Sequence, residues 1–349
     1  MPEIKSEPKD VFSSMRQKLP ARPGIYIFID KTGQVLYIGK SVNLRNRVAS
    51  YFQKNQRRLE PRIQRMVSNI AHIDFLETET ELHALLLEDK MIKLKMPIYN
   101  IRQREFSNYQ FLLLTKGAFP TFRINAEFNP DEHEQAFGPF KDMYFAENVL
   151  RIIQVAFKVR ICQSENPTRK CFQYNINGCT GPCQGKISQA DYTQIINDAI
   201  YFLNGDASKI ITKLEEILQQ RIATLEFEKA AEIKEYISFA DAFCQRQRFI
   251  QRFRFENFII HESESASVTH IFIKGNSCLV SGNPTIDILR EYIRNFQMAD
   301  NPPSEDIRFV VDRANLVYRW LNQSKNKVES YFLINDSLDL AGINQQNYR

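Results

Sequence analysis

No stretch of the 349 residues approaches the ~18 consecutive apolar residues that a membrane-spanning helix requires. The opening segment MPEIKSEPKDVFSS is charged and has no apolar core of the kind a secretory signal needs, so the chain reads as cytoplasmic, with no membrane partner. Cysteine is sparse: six residues in this length do not make a secreted disulfide scaffold. Excess charge is missing as well, since a net +5 says little by itself about partners. What remains is an ordinary globular composition, 43% apolar and 25% charged, long enough for two or three domains.

Charge distribution says more than its sum. From Arg45 to Arg65 there are seven cations and one anion, Glu60. Arg45, Lys54, Arg57, Arg58 and Arg62 are therefore candidates for contacts to nucleic-acid phosphates, the alternative being a solvated loop between helices. This block follows directly on the most patterned stretch, Pro23 to Phe52. There Ile25, Ile27 and Ile29 alternate with Tyr26 and Phe28, the period of a strand with two different faces. Asp30 to Gly33 is turn chemistry, Val35 to Ile38 is a return strand, and Gly39 ends it. Ser41 is the expected N-cap of a helix to about Phe52. Leu44, Val48, Tyr51 and Phe52 form its core face, and Lys40, Asn43, Arg47 and Lys54 another stripe. Two phenols, Tyr26 and Tyr37, beside guanidinium groups suit a phosphodiester; an ordinary hairpin with a solvated basic helix is the alternative.

The rest of residues 15–101 completes one small α/β domain, with residues 1–14 loosely attached. A strand is expected from Ile70 to Thr78 and a helix from about Glu79 to Leu94, with Leu82, Leu85, Leu86 and Ile92 as its apolar stripe and Pro97 just past its end. Glu88 borders that stripe, either at the edge of a buried site or solvated at the rim, and chemistry alone does not separate it from Asp89. Residues 102–160 read as a connecting layer: strands at Tyr109–Leu114 and Phe119–Ile124, a turn at Phe137–Phe140, and a helix from about Ala146 to Phe157.

Residues 161–187 hold Cys162, Cys171, Cys179 and Cys183, separated by eight, seven and three residues. Thiolates gathered this way favour zinc or an iron–sulfur cluster, and the long gaps lean towards the cluster; four reduced thiols in a loop-rich module is the remaining alternative. Cys244 and Cys278 read as buried or incidental. Residues 188–247 are helical, with turns at Asn204–Asp206 and near Thr224–Glu226. Phe227 anchors an interface if exposed and otherwise sits in its own helical core. Gln245 to Phe255 interleaves arginines with aromatics, either to stack bases or as the basic end of a helix. Residues 257–335 read as a small α/β unit: a hairpin across Lys274–Asn276, a helix near Ile286–Phe296, a strand Ile307–Val311 and a helix near Ala314–Asn322. Its Asp287, Glu291, Asp306 and Asp312 lack the spacing of a metal-sharing pair. The fold class is α+β and multidomain.

Gly24-Ile25-Tyr26, Tyr37-Ile38-Gly39, Lys40 and an arginine seven residues later, Arg47, resemble the signature of the GIY-YIG nucleases. The form PGIY…LYIGKS…NRV…Y is similar to the N-terminal nuclease domain of the UvrC/Cho family of nucleotide-excision-repair endonucleases. That resemblance implies more. The glutamate of LLLExxxIK, here Glu88, is the ligand of a single Mg²⁺ or Mn²⁺. The asparagine closing P-x-Y-N is Asn100, and Tyr51 is a further site tyrosine. Tyr26 is the general base or positions the attacking water, its hydroxyl perturbed by Lys40 or the metal; Arg47 stabilises the phosphorane, and Tyr37 and Asn100 orient phosphate and water. The cysteine region implies a [4Fe–4S] cluster, with zinc as the alternative. Leu225 to Lys234 resembles the UVR motif, which makes Phe227 a docking residue for UvrB. The expected function is a cut on the 3′ side of a lesion in damaged double-stranded DNA, after UvrA and UvrB have prepared it. The RNase H-like and helix-hairpin-helix regions of longer relatives are not found, so one incision is expected. A non-catalytic DNA- or UvrB-binding adaptor is the rival reading.

Overall fold

The computed structural model describes residues 8–53, 60–101, 109–162, 171–262, 268–281, 288, 291, 306–323, 328–334 and 337–340. The chain divides into two compact units. One unit gathers residues 1–106, 255–305 and 312–349, the other residues 107–254 and 306–311.

The first unit starts with helix α1 (Pro8–Met15), in a stretch expected to be loose. Phe12 stacks on Phe52 with ring centroids 4.9 Å apart, so this helix has an apolar anchor. Strands β1 (Gly24–Ile29) and β2 (Val35–Ser41) form the expected hairpin. Strand β2 does not stop at Gly39: the ladder continues through Ile25 opposite Lys40 and Gly24 opposite Ser41. Helix α2 (Leu44–Tyr51) therefore begins later than predicted, and its N-cap is Asn43, whose side chain accepts the Asn46 N–H at 3.0 Å. The Ser41 hydroxyl instead donates to the Asn43 carbonyl, so it shapes the turn between strand and helix. Lys40 accordingly lies on a strand, not on the basic face of a helix.

Helix α3 (Pro61–Ser68) follows, then β3 (His72–Glu77), which pairs antiparallel with β1 to give the order β2-β1-β3. Helix α4 (Glu81–Lys95) is capped by Thr80, whose side chain accepts the His83 N–H, and ends at Met96 in the left-handed region, one residue before Pro97. Its Ile92 packs on Ile25 and Ile38 of the sheet. Leu85 and Leu86, predicted to lead its apolar stripe, are only half-buried, whereas Glu88 and Asp89 are buried.

The second unit contains the sheet β4 (Gln110–Thr115), β5 (Phe122–Asn125) and β6 (His133–Phe140), in the order β5-β4-β6. The predicted turn at Phe137–Phe140 is the end of β6, because Phe137 and Phe140 both pair with β4 and bury their rings. Helices α5 (Met143–Phe157), α6 (Gln189–Leu203), α7 (Ser208–Ala223) and α8 (Phe227–Phe255) share one core with this sheet. The two predicted interhelical turns are present, the second with Leu225 at positive φ. Gln245 to Phe255 is the basic end of α8: Phe249 and Phe253 are buried, and the Arg246 guanidinium lies 4.5 Å from the Phe145 ring centroid.

Strands β7 (Asn257–Glu262), β8 (Val268–Ile273) and β9 (Asn276–Ser281) return to the first unit. Ile307–Val311, expected as a strand, is the first turn and a half of helix α9 (Ile307–Gln323). The short apolar run there belongs to a helical stripe of Val311, Ala314, Val317 and Leu321, all buried. Strands β10 (Val328–Ile334) and β11 (Ser337–Leu340) complete a sheet ordered β11-β10-β7-β8-β9. Of the helix expected near Ile286–Phe296, only Ile288 and Glu291 lie within the described residues.

Candidate active site

Four elements bring polar side chains together against the first sheet. Tyr26 on β1 is fully buried, and its hydroxyl lies 2.8 Å from that of Tyr51 on α2. Arg47, one turn before Tyr51, donates to both phenols: Nε to Tyr26 at 3.4 Å and an η nitrogen to Tyr51 at 3.2 Å. Its guanidinium also lies over the Tyr51 ring, 5.2 Å from the centroid. Tyr37 on β2 joins the aromatic group, 6.0 Å from Tyr26 by ring centroids. The i, i+4 spacing of Arg47 and Tyr51 sets this geometry, because it stacks the two side chains on one face of α2.

Both signature glycines are explained by close approach. Gly39 faces Tyr26 across the hairpin, and a Cβ there would run into the Tyr26 hydroxyl and the edge of Tyr37. On Gly24 a Cβ would meet the Leu76 carbonyl and Leu44. The glycines thus let a tyrosine ring and a neighbouring strand come into contact that any side chain would prevent.

Glu88 reaches the site from α4. It is 9% exposed, and its Oε1 accepts the Lys40 backbone N–H at 2.9 Å. The Lys40 ammonium is held 2.7 Å from Glu81 Oε1, an ion pair for which the sequence carries no local signal. Glu81 and Glu88, seven residues apart, share a face of α4, so Lys40 engages both. Asp89 points elsewhere, into a buried pair with Lys93 at 2.8 Å. The structure therefore separates the two carboxylates that chemistry alone left equivalent.

Burial pushes the Glu88 carboxyl above its ordinary range, against the pull of the Lys40 N–H and ammonium and of Arg47. Burial likewise pushes Tyr37 up to about 12 and Tyr26 well above 10, in both cases with Tyr51 as the next cause. Of the two groups expected to perturb the Tyr26 hydroxyl, Lys40 or a metal, Lys40 is paired with Glu81, and burial is the largest cause of the shift. Both phenols are neutral hydrogen-bonding groups at neutral pH.

Asn100 has backbone partners that the sequence does not reveal. Its amide is spent on the backbone of Ile38, accepting the N–H at 2.9 Å and donating to the carbonyl at 2.7 Å. It fastens the segment after α4 to β2, where the resemblance implies a role in orienting phosphate and water. Asn100→Ala should thus destabilise the protein by about 1–3 kcal/mol, the cost of leaving buried partners unpaired. Urea unfolding measures this; unchanged stability with lost cleavage would restore the phosphate-orienting role.

Among the expected DNA-contacting residues, Arg45 donates to the Leu19 carbonyl and Arg62 to the Tyr99 carbonyl, with the Arg62 guanidinium 5.6 Å from the Tyr99 ring centroid. Lys54, Arg57 and Arg58 lie outside the described residues.

The UvrC-like GIY-YIG domain family matches residues 22–101, and the UvrC/Cho excinuclease middle domain matches residues 109–202. The UvrABC system protein C of Thermoanaerobacter sp. (strain X514) is 30% identical over 335 residues, 89% of this chain and 54% of that protein. The chain belongs to the UvrC/Cho family. Another UvrABC system protein C, from Nitrosomonas europaea, is 38% identical over 220 residues, 62% of this chain and 36% of that protein. This member of the UvrC/Cho family spans about half the length of the curated relatives it matches. A crystal structure of the GIY-YIG N-terminal endonuclease domain of UvrC from Thermotoga maritima, bound to its catalytic magnesium, is 30% identical, covering 26% of this chain and 94% of that domain at a TM-score of 0.23.

The UvrC/Cho middle region does not meet the metal expectation attached to it. Cys162, Cys171, Cys179 and Cys183 lie within electrostatic reach of one another. Yet among the described residues no group of three or more His, Cys, Asp or Glu is arranged to hold a metal ion. Burial pushes the Cys179 and Cys183 thiols up, and Cys179 Sγ accepts the Gly181 N–H at 3.4 Å. Cys179 is buried and the other three are half-buried, and neither the [4Fe–4S] cluster nor zinc is supported by the geometry of the described residues. Phe227, by contrast, is 63% exposed at the start of α8, not in its own helical core. It lines a groove with Ile222, Leu218 and Ile237. No helix among the described residues is long and apolar enough to cross a membrane.

Proposed function

We propose that the chain is a metal-dependent DNA endonuclease of nucleotide excision repair that hydrolyses one phosphodiester on the 3′ side of a lesion in a UvrB–DNA complex. The observation that carries this reading is the meeting of Tyr26, Tyr37, Tyr51, Arg47 and Glu88, from two strands and two helices, in one partly desolvated place. Glu88 fits a divalent cation: it is a buried carboxylate whose burial raises its proton affinity, and a dication would offset the same desolvation. It would hold Mg²⁺ or Mn²⁺, which supplies Lewis-acid polarisation of a non-bridging phosphate oxygen and charge for the leaving 3′ oxygen.

The chain's own residues do the rest. Tyr26, neutral and held by Arg47 and Tyr51, positions the attacking water through its hydroxyl. Arg47 carries a permanent charge to the place where negative charge develops on the phosphorane. Tyr37 donates to a phosphate oxygen. Lys40 holds the Glu88 carboxylate through its backbone and the Glu81 carboxylate through its ammonium, which fixes β2 against α4. Phe227 is the proposed anchor for UvrB, its exposed ring beside an apolar groove being the kind of feature that dominates interfaces.

Lesion DNA labelled separately at each end of the damaged strand, with UvrA, UvrB and Mg²⁺, tests the proposal. One metal-dependent cut on the 3′ side is expected, since the described residues hold one hydrolytic constellation. Absence of any cut in the presence of all partners would leave the adaptor reading. A 5′ cut by the purified chain would reveal a second active site.

A further inference from the structure

Helix α4 carries two polar contacts that hydrolysis does not use, one buried and one half-buried at Asp312, and both lead to the C-terminal part of the first unit. At the start of the helix, His270 of β8 is 2% exposed, with Nε2 2.7 Å from Glu262 Oε1 on β7. A carboxylate oxygen only accepts, so Nε2 carries the proton. The same nitrogen lies 3.4 Å from Oγ1 of Thr80, the N-cap of α4. Near the other end, Lys93 Nζ lies 2.8 Å from Asp89 and 3.4 Å from Asp312 of α9. Thr80 and Lys93 are separated by roughly 20 Å along the helix at its usual rise. Glu81 and Glu88, the two carboxylates that engage Lys40, lie between them.

We infer that the C-terminal sheet and α9 clamp α4 at these two points, with His270 and Asp312 as positioning residues for the Glu88 carboxylate. One contact would leave the helix free to pivot. Two, far apart, fix its slide and its roll, and roll decides whether Glu88 or Asp89 faces the tyrosines. Apolar packing would hold the helix as firmly, but it is non-directional and tolerates rotation. Charged and hydrogen-bonded contacts have a direction, so placing them at both ends serves geometry more than stability. A role is thereby assigned to the C-terminal unit, whose own carboxylates form no metal group among the described residues.

The inference rests on the reading of Glu88 as metal ligand. It is tested on the full chain without DNA by titrating Mn²⁺ and following its electron paramagnetic resonance signal. The double variant His270→Ala/Asp312→Asn should bind Mn²⁺ about 10- to 100-fold more weakly, the usual loss when the groups orienting a ligand are removed. Its Mg²⁺ requirement for half-maximal cleavage should rise by the same factor, while DNA affinity stays unchanged. Asp312→Glu with His270 intact, which keeps the charge, should bind Mn²⁺ as the wild type does. A folded double variant with unchanged Mn²⁺ binding overturns the clamp. If circular dichroism shows the double variant unfolded, Asp312→Asn alone decides by the same criterion. Glu88→Gln is the reference. If it too binds Mn²⁺ normally, the metal site itself is misread; if it alone loses Mn²⁺, only the clamp fails.

Discussion

Glu88→Gln is expected to abolish cleavage while leaving DNA binding nearly intact. Glutamine keeps the size of the side chain and an oxygen that still accepts the Lys40 N–H. What it loses is the negative charge, the one property that a divalent cation needs from this position. Lewis-acid assistance to phosphoryl transfer amounts to several kcal/mol, so the loss is roughly 10³-fold or more in rate. DNA affinity comes from cations distributed over the surface, and Glu88 is not one of them. Single-turnover cleavage and filter binding with the same lesion duplex separate the two quantities. A variant that cuts at the wild-type rate in Mg²⁺ would show that the metal is held elsewhere.

Arg47→Ala should slow cleavage by about 10²- to 10³-fold, the usual loss for one charge-stabilising group in a desolvated site. Two effects combine at this position. The guanidinium is the cation nearest the buried phenols, and it donates to both of them. Removing it withdraws charge from the phosphorane and also frees the Tyr26 hydroxyl to turn. Arg47→Lys should recover little, because an ammonium does not present the fork that reaches two hydroxyls at once. The effect belongs in the single-turnover rate. A change confined to DNA affinity would move Arg47 out of the chemistry and into the binding surface.

Local periodicity made much of this fold legible. The β1–β2 hairpin, α4 with Pro97 behind it, and the turns at Asn204–Asp206 and Thr224–Glu226 follow from neighbouring residues alone. Local signals misled where two of them competed. Ser41 and Asn43 are both good cap residues, and the ladder that carries β2 out to Ser41 selects between them. Ile307–Val311 is an apolar-rich run that reads as a strand, but buried positions further along α9 set the period. The site divides in the same way. Tyr26, Tyr37, Arg47 and Glu88 were legible through a signature, and the structure brings them together. The Lys40–Glu81 pair was not, since it joins residues 41 apart with no local pattern. Nor was the direction of the tyrosine titrations, because burial is a property of the assembled sheet and helices.

Asn100 has a consequence beyond the site. Strand β2 lies at the margin of its sheet, and its outward backbone groups at Leu36 and Ile38 are taken up by Tyr99 N–H and the Asn100 amide. Two residues after the last helix of the nuclease region thus act as a plug on an otherwise open strand. A nuclease fragment cut before Tyr99 would keep Tyr26, Tyr37, Arg47, Tyr51 and Glu88 and still expose that edge, which invites strand-to-strand self-association. Fragments ending on either side of Asn100 should differ in solubility before they differ in chemistry.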